Sequence, residues 1–201
     1  MKWCEKRSLP AMVGGETPIL WVDGVGGYLL WTLPRLLLGR TGSQSCDCQI
    51  LGDLGDRSYQ IWRTGEKHLG FDLPEIAGAE PKRLRHGDRI ILGESVRLEY
   101  QLSNPWSATA LLKILPPHRW REAIDGVLMV DRCIVLGASS QCHLRCLEWK
   151  DQVVIWREAE TWHVKSSVPL ECQGKEIGMV APLEPGKRLL GPDFSLSLQV
   201  A

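Results

Sequence analysis

The chain has 201 residues, enough for one or two domains, and its 44% hydrophobic content suffices for a buried core. Lys and Arg total 24 against 24 Asp and Glu, so no long-range field favours nucleic acid or an anionic membrane surface, and neither is an expected partner. Nine Trp, 20 Gly and 12 Pro suit short strands and tight turns better than helices, so the expected class is all-β.

Residues 1–17 read as a flexible N-terminal arm without the apolar run of a signal peptide. Ile19 to Val22 form a first strand running into the Asp23-Gly24 turn, and residues 28–38 resume with β-rich apolar residues. That second run is too short to span a bilayer and is broken by Pro34 and Arg35. It ends in Gly39-Arg40 and a polar loop. Residues 46–51 and 59–63 alternate in hydrophobicity as strands, with 52–58 the turn between them. An arginine at a strand end, facing loops with free N–H groups and hydroxyls, suits anion recognition without a catalytic pocket.

Residues 67–82 read as a long connection holding one short strand near 73–76. Residues 84–89 make a turn. Ile90 to Leu92 and then Val96, Leu98 and Tyr100 show the period-2 pattern of a half-buried strand pair. Residues 103–120, with Pro105, Pro116 and Pro117, form a joint containing a strand at 108–114. No twelve-residue amphipathic helix is present in the pattern.

The second half repeats the first. Asp23-Gly24-Val25 recurs as Asp125-Gly126-Val127, Leu38-Gly39 as Leu136-Gly137, and Ile61-Trp62-Arg63 as Ile155-Trp156-Arg157. Leu84-x-x-Gly87-x-Arg89 recurs as Leu183-x-x-Gly186-x-Arg188. Two β units result, 18–115 and 116–201, within ordinary domain size. The recurring Trp62 and Trp156 are expected in the core and the recurring Arg63 and Arg157 on a solvated strand face. Trp31, Trp106, Trp120 and Trp162 lack that constraint, and one or two are expected as interface anchors.

Seven cysteines, an odd number scattered through a chain too large to need stapling, indicate free thiols in a reducing, cytoplasmic setting. Cys46, Cys48, Cys142, His143 and Cys146 could supply zinc ligands by type, but they fall on equivalent strands of the two halves, so no metal or other cofactor is expected. None of the five histidines accompanies a nucleophile turn, and Gly24-x-Gly26-Gly27 is a hairpin turn and no phosphate cradle, so a small hydrolase or zinc protein is the outlying alternative and no catalytic residue is expected.

Gly39-Arg40, Asp47-Cys48-x-Ile50, Tyr59-x-Ile61 and Leu84-x-x-Gly87-Asp88-x-Ile90-x-Leu92-Gly93 resemble the forkhead-associated (FHA) domain, over roughly residues 20–101 with an altered copy over roughly 123–200. The resemblance implies tandem β-sandwiches of the SMAD/FHA type whose apical loops bind phosphothreonine peptides on protein partners marked by a Ser/Thr kinase. The family's phosphopeptide arginine falls on Arg40. Its Ser-Arg-x-His segment falls on Gly55-Asp56-Arg57-Ser58, so the phosphate-binding serine is Gly55 and the loop-bracing histidine Ser58. The family's Asn-Gly turn has Ala77-Gly78 as its nearest candidate. The ligand set is degenerate, and the expected substitute cradle is Arg40, Ser43, Ser45, Arg57 and Ser58. In the second copy Arg40 corresponds to Ala138, and Ser140-x-x-His143 is read as coincidence. The alternative function is a phosphate-independent scaffold or interaction protein of the same fold.

Overall fold

The computed structural model describes residues 17–43, 46–73 and 80–200, and among these every regular element is a strand. The first ten are β1 (Pro18–Val22), β2 (Gly26–Trp31), β3 (Arg35–Arg40), β4 (Cys48–Leu51), β5 (Ser58–Thr64), β6 (Lys67–Leu73), β7 (Lys82–Arg83), β8 (Arg89–Leu92), β9 (Val96–Gln101) and β10 (Ala110–Ile114). The rest are β11 (Arg119–Trp120), β12 (Gly126–Met129), β13 (Cys133–Gly137), β14 (Leu144–Arg145), β15 (Val153–Glu158), β16 (Thr161–Cys172), β17 (Lys175–Pro182), β18 (Arg188–Leu190) and β19 (Ser195–Val200). The connection expected over residues 67–82 begins as strand: β6, Lys67–Leu73, extends the β5 hairpin through Gly65 (φ +61°), and the short strand expected near 73–76 lies largely outside the described residues.

The strands form two sheets. A 6-stranded sheet runs β11-β4-β3-β5-β6-β7, and a 13-stranded one runs β14-β13-β15-β16-β18-β19-β1-β2-β12-β10-β9-β8, with β17 on the free side of β16. The centre of the large sheet explains the architecture. There β2 and β12 pair in parallel, and their sequences, GGYLLW and GVLM, are apolar without alternation. Such runs are what a strand buried on both faces requires. Leu29, Trp31, Val127 and Met129 face the core built with the small sheet, among Leu36, Leu38, Ile61 and Tyr100. Tyr28, Leu30, Leu128 and Val130 face the opposite core, among Ile134, Ile155, Val164 and Leu196. The large sheet reaches that second core by folding back on itself along β16, whose pairing slips between Lys165 and Leu170, where Pro169 removes an N–H.

The same pairings occur on both sides of the centre. Leu36 pairs with Ile61 as Ile134 does with Ile155, Leu38 with Cys48 as Leu136 with Leu144, and Ile90 with Leu98 as Leu189 with Leu196. Tyr100 pairs with Leu112 as Leu198 does with Leu20, so β1 stands beside β19 where β10 stands beside β9. Strands on either side of the joint near residue 115 thus share the central sheet. One sequence match does not survive this register. Val127 is equivalent to Tyr28, because Leu112 pairs with Val127 and Leu20 with Tyr28. Gly24 lies in a turn at φ +72°, whereas Gly126 is in a strand, with Leu111 and Leu112 against the place of a Cβ.

Two side-chain readings also change. Trp62 is 43% exposed and meets Phe71 edge-on, and Trp156 stacks on His163 at 5.3 Å, so both lie on outer faces. Alternation decides this: the inward neighbours Ile61 and Ile155 take the core positions. Arg63 and Arg157 are cross-links, not solvated faces. Arg63 Nη1 donates to Val130 O at 2.7 Å and sits 3.1 Å from Asp131 Oδ1, while Arg157 Nη1 donates to Thr32 Oγ1 at 3.3 Å and Nη2 meets Glu160. Each arginine therefore ties its own hairpin to the turn that follows the other central strand. Arg63 is expected to matter more, because its contacts are charge-assisted and mostly covered: Arg63→Ala should cost about 1–3 kcal/mol. Urea unfolding of that variant and of Arg157→Ala measures the difference, with equal effects counting against it.

Candidate functional site

Arg40 ends β3, where Gly39 lets Cys46 Sγ occupy the place of a Cβ. The loop turns back at Gly42 (φ +88°), with Ser43 N donating to Arg40 O at 3.2 Å and Cys46 Sγ 3.4 Å from Ser43 Oγ. Gly55 (φ +54°) turns the facing loop, whose Gly55 N donates to Asp53 Oδ1 at 3.1 Å and Arg57 N to Leu54 O at 3.1 Å. The two loops meet over a cavity of about 230 Å³ lined by Gly39, Arg40, Ser43, Cys46, Arg57 and Ser58 together with Gly55 and Asp56. Four of the five residues expected to form a cradle, Arg40, Ser43, Arg57 and Ser58, are brought together there. Ser45 lies outside the described residues, as does Ala77-Gly78.

The electrostatics are mixed. Arg40 Nη2 is 3.7 Å from Asp56 Oδ1, and the two side chains are 58% and 97% exposed. Such a pair is weak and labile in water, so the guanidinium can exchange this carboxylate for a stronger anion. The loop after Arg40 is fixed by Gln49, a residue not expected in the site. Gln49 Oε1 accepts from Gly42 N at 3.0 Å, and its Nε2 donates to Ser43 O at 3.2 Å. Arg121 Nη1 donates to the same Oε1 at 2.9 Å, and Thr41 Oγ1 donates to Ile50 O at 3.1 Å. The available signal was period-2 alternation: Gln49 lies between the buried Cys48 and Ile50, so it points outward into the loop.

Three of the thiols considered as ligands are held neutral. Burial pushes Cys48 well above its ordinary value and Cys146 up to about 12, with Cys142 raised as well, so all three are neutral thiols. Among the described residues no group of three or more His, Cys, Asp or Glu is placed to hold a metal. Of the tryptophans considered as anchors, Trp31, Trp120 and Trp162 are buried, and Trp106 is 91% exposed. No helix among the described residues is long and apolar enough to cross a membrane.

No family model matches the chain, and no curated protein matches it. A comparison with solved structures finds similarity to the N-terminal FHA domain from EssC, a component of the bacterial type VII secretion apparatus, at 13% identity and a TM-score of 0.26, covering 90% of this chain and 92% of that one.

Proposed function

We propose that the protein is a non-catalytic, cytoplasmic protein–protein interaction module of the FHA type, in which the Arg40 loop and the Gly55 loop receive the phosphate of a phosphothreonine peptide. One observation carries this reading: Arg40, Ser43, Arg57 and Ser58 line a single cavity between two strand-end loops. Two guanidinium groups and two hydroxyls match the three acceptor oxygens and the charge of about −1.5 to −2 on a phosphate monoester. We also propose that the chain comprises two sandwich-like units, 18–115 and 116–201, of which the first carries the site.

Affinity should be modest. Gly55 offers no hydroxyl where the family places its serine, Ser58 replaces the bracing histidine, and Asp56 sits beside Arg40. Each charge-assisted bond contributes about 1.5–3 kcal/mol, equivalent to about ten- to a hundredfold in affinity. On a phosphopeptide array followed by calorimetry, Arg40→Ala is expected to weaken binding by about that factor, while Asp56→Asn strengthens it by removing a competing carboxylate. Equal binding of phosphorylated and unphosphorylated peptides, unchanged in Arg40→Ala, would establish the second reading, a phosphate-independent scaffold. The acidic Asp56 in the cavity is the observation that favours that alternative.

A further inference from the structure

A larger groove, of about 670 Å³, shares no lining residue with the Arg40 cavity and draws on both halves of the chain. Gln101 and Lys113 come from β9 and β10, and Ser140, His143 and Arg145 from the β13–β14 segment. The recurring pairings provide an internal comparison. Lys113 stands one residue beyond the Leu112–Tyr100 pair, as Trp21 stands one beyond Leu20–Leu198. On the Trp21 side the indole covers Gly27, whose missing Cβ makes room for it, and its Nε1 donates to Gln199 Oε1 at 3.0 Å. At the equivalent position of the other side stands a cation.

The groove's donors are only partly spent. Arg145 uses Nε on Ala138 O at 3.3 Å, which leaves its terminal nitrogens facing no carboxylate among the described residues, and Lys113 makes no ion pair among them. His143 accepts from Val135 N–H through Nδ1 at 2.8 Å, which places the ring proton on Nε2. That ring is 4% exposed, and Nε2 has no hydrogen-bond partner among the described residues. Of the acids lining the groove, Asp23 is held by Arg188, and Glu148 remains at the lip.

We propose that this groove is a second anion site, separate from the Arg40 cavity, which takes a phosphate-monoester or carboxylate group. Lys113 and Arg145 supply the charge, and the neutral His143 ring borders the groove. Glu148 limits affinity by competing for the two cations. The shared chemistry is that of an oxyanion, and two probes separate its sources.

The test is a titration of the full chain, followed by amide and imidazole NMR, with inorganic phosphate and separately with succinate. Saturable shifts at Val135, His143 and Arg145 are expected in the millimolar range. A response to phosphate alone assigns a phosphate ester, and a response to succinate alone a carboxylate. Lys113→Met and Arg145→Gln, both at solvent-facing groove positions, are each expected to weaken binding about fivefold or more, and Glu148→Gln to strengthen it severalfold. Arg40→Ala should leave these shifts unchanged, so this site and the phosphopeptide site can fail independently. Absence of saturation with both anions, shifts indifferent to Lys113→Met and Arg145→Gln, or shifts abolished by Arg40→Ala would overturn the proposal.

Discussion

Acidification from neutral pH to about pH 4 is expected to unfold the protein, and two buried histidines should dominate the loss. His68 is 1% exposed and His143 4%, and burial pushes each from 6.5 down to about 4, with Arg63 adding to the effect at His68. The Tyr100 hydroxyl, which burial keeps protonated, and His68 Nδ1 are hydrogen-bonded at 2.8 Å, and Nε2 has no partner among the described residues. Both rings are therefore neutral in the folded state and protonate in the unfolded chain as the pH falls below 6.5. Stability is full above that value, declines as the pH drops, and levels off once the folded rings protonate near 4. At about 1.4 kcal/mol per pH unit, each ring accounts for about 3 kcal/mol, and together they approach the 5–15 kcal/mol that holds an ordinary domain. Asp47, raised by burial, works in the opposite direction. Urea midpoints measured from pH 7 to 4 check this, with His68→Gln and His143→Gln each flattening the curve. A profile that is level until carboxylates titrate would show that the rings do not set it.

Removing residues 1–22 is expected to abolish cooperative folding of the second core. β1 pairs with β19 on one side and β2 on the other, filling the middle of the large sheet. Leu20 and Val22 lie in the core with β13, β15 and β16, and Ile19 in the core of the small sheet. Burial of such side chains contributes about 1.5–3 kcal/mol each, before the lost strand pairing is counted. Amide exchange should show protection lost at Ile155, Val164 and Leu196 first, and a synthetic peptide covering residues 17–23 should restore it. A deletion variant that melts as one sharp transition at the original temperature would contradict the shared sheet.

How far the sequence was legible depended on the range of the interaction. The β8–β9 hairpin was readable because period-2 alternation and an adjacent turn act within a dozen residues, whereas β6, expected as a connection, showed no such alternation beside its turn. Arg40, expected from its place at a strand end, and Arg57, expected from the family-like segment, do line one cavity. Gln49 was not legible, because its role lies in two amide contacts to a loop whose path only the fold defines. Trp62 was misplaced because size and recurrence suggested a core residue, when the strand face it occupies is set by the burial of Ile61.

The residues alone pointed to an all-β chain and to motifs that recur between its halves, since each is local in backbone geometry or residue type. The tertiary structure decided what covers what. The apolar runs β2 and β12, far apart in sequence, find each other in parallel and bury both faces, β1 joins β19 from the far end of the chain, and Arg63 and Arg157 cross between halves. No local pattern encodes these features, because a strand's second buried face and a side chain's distant partner exist only once separate segments have met.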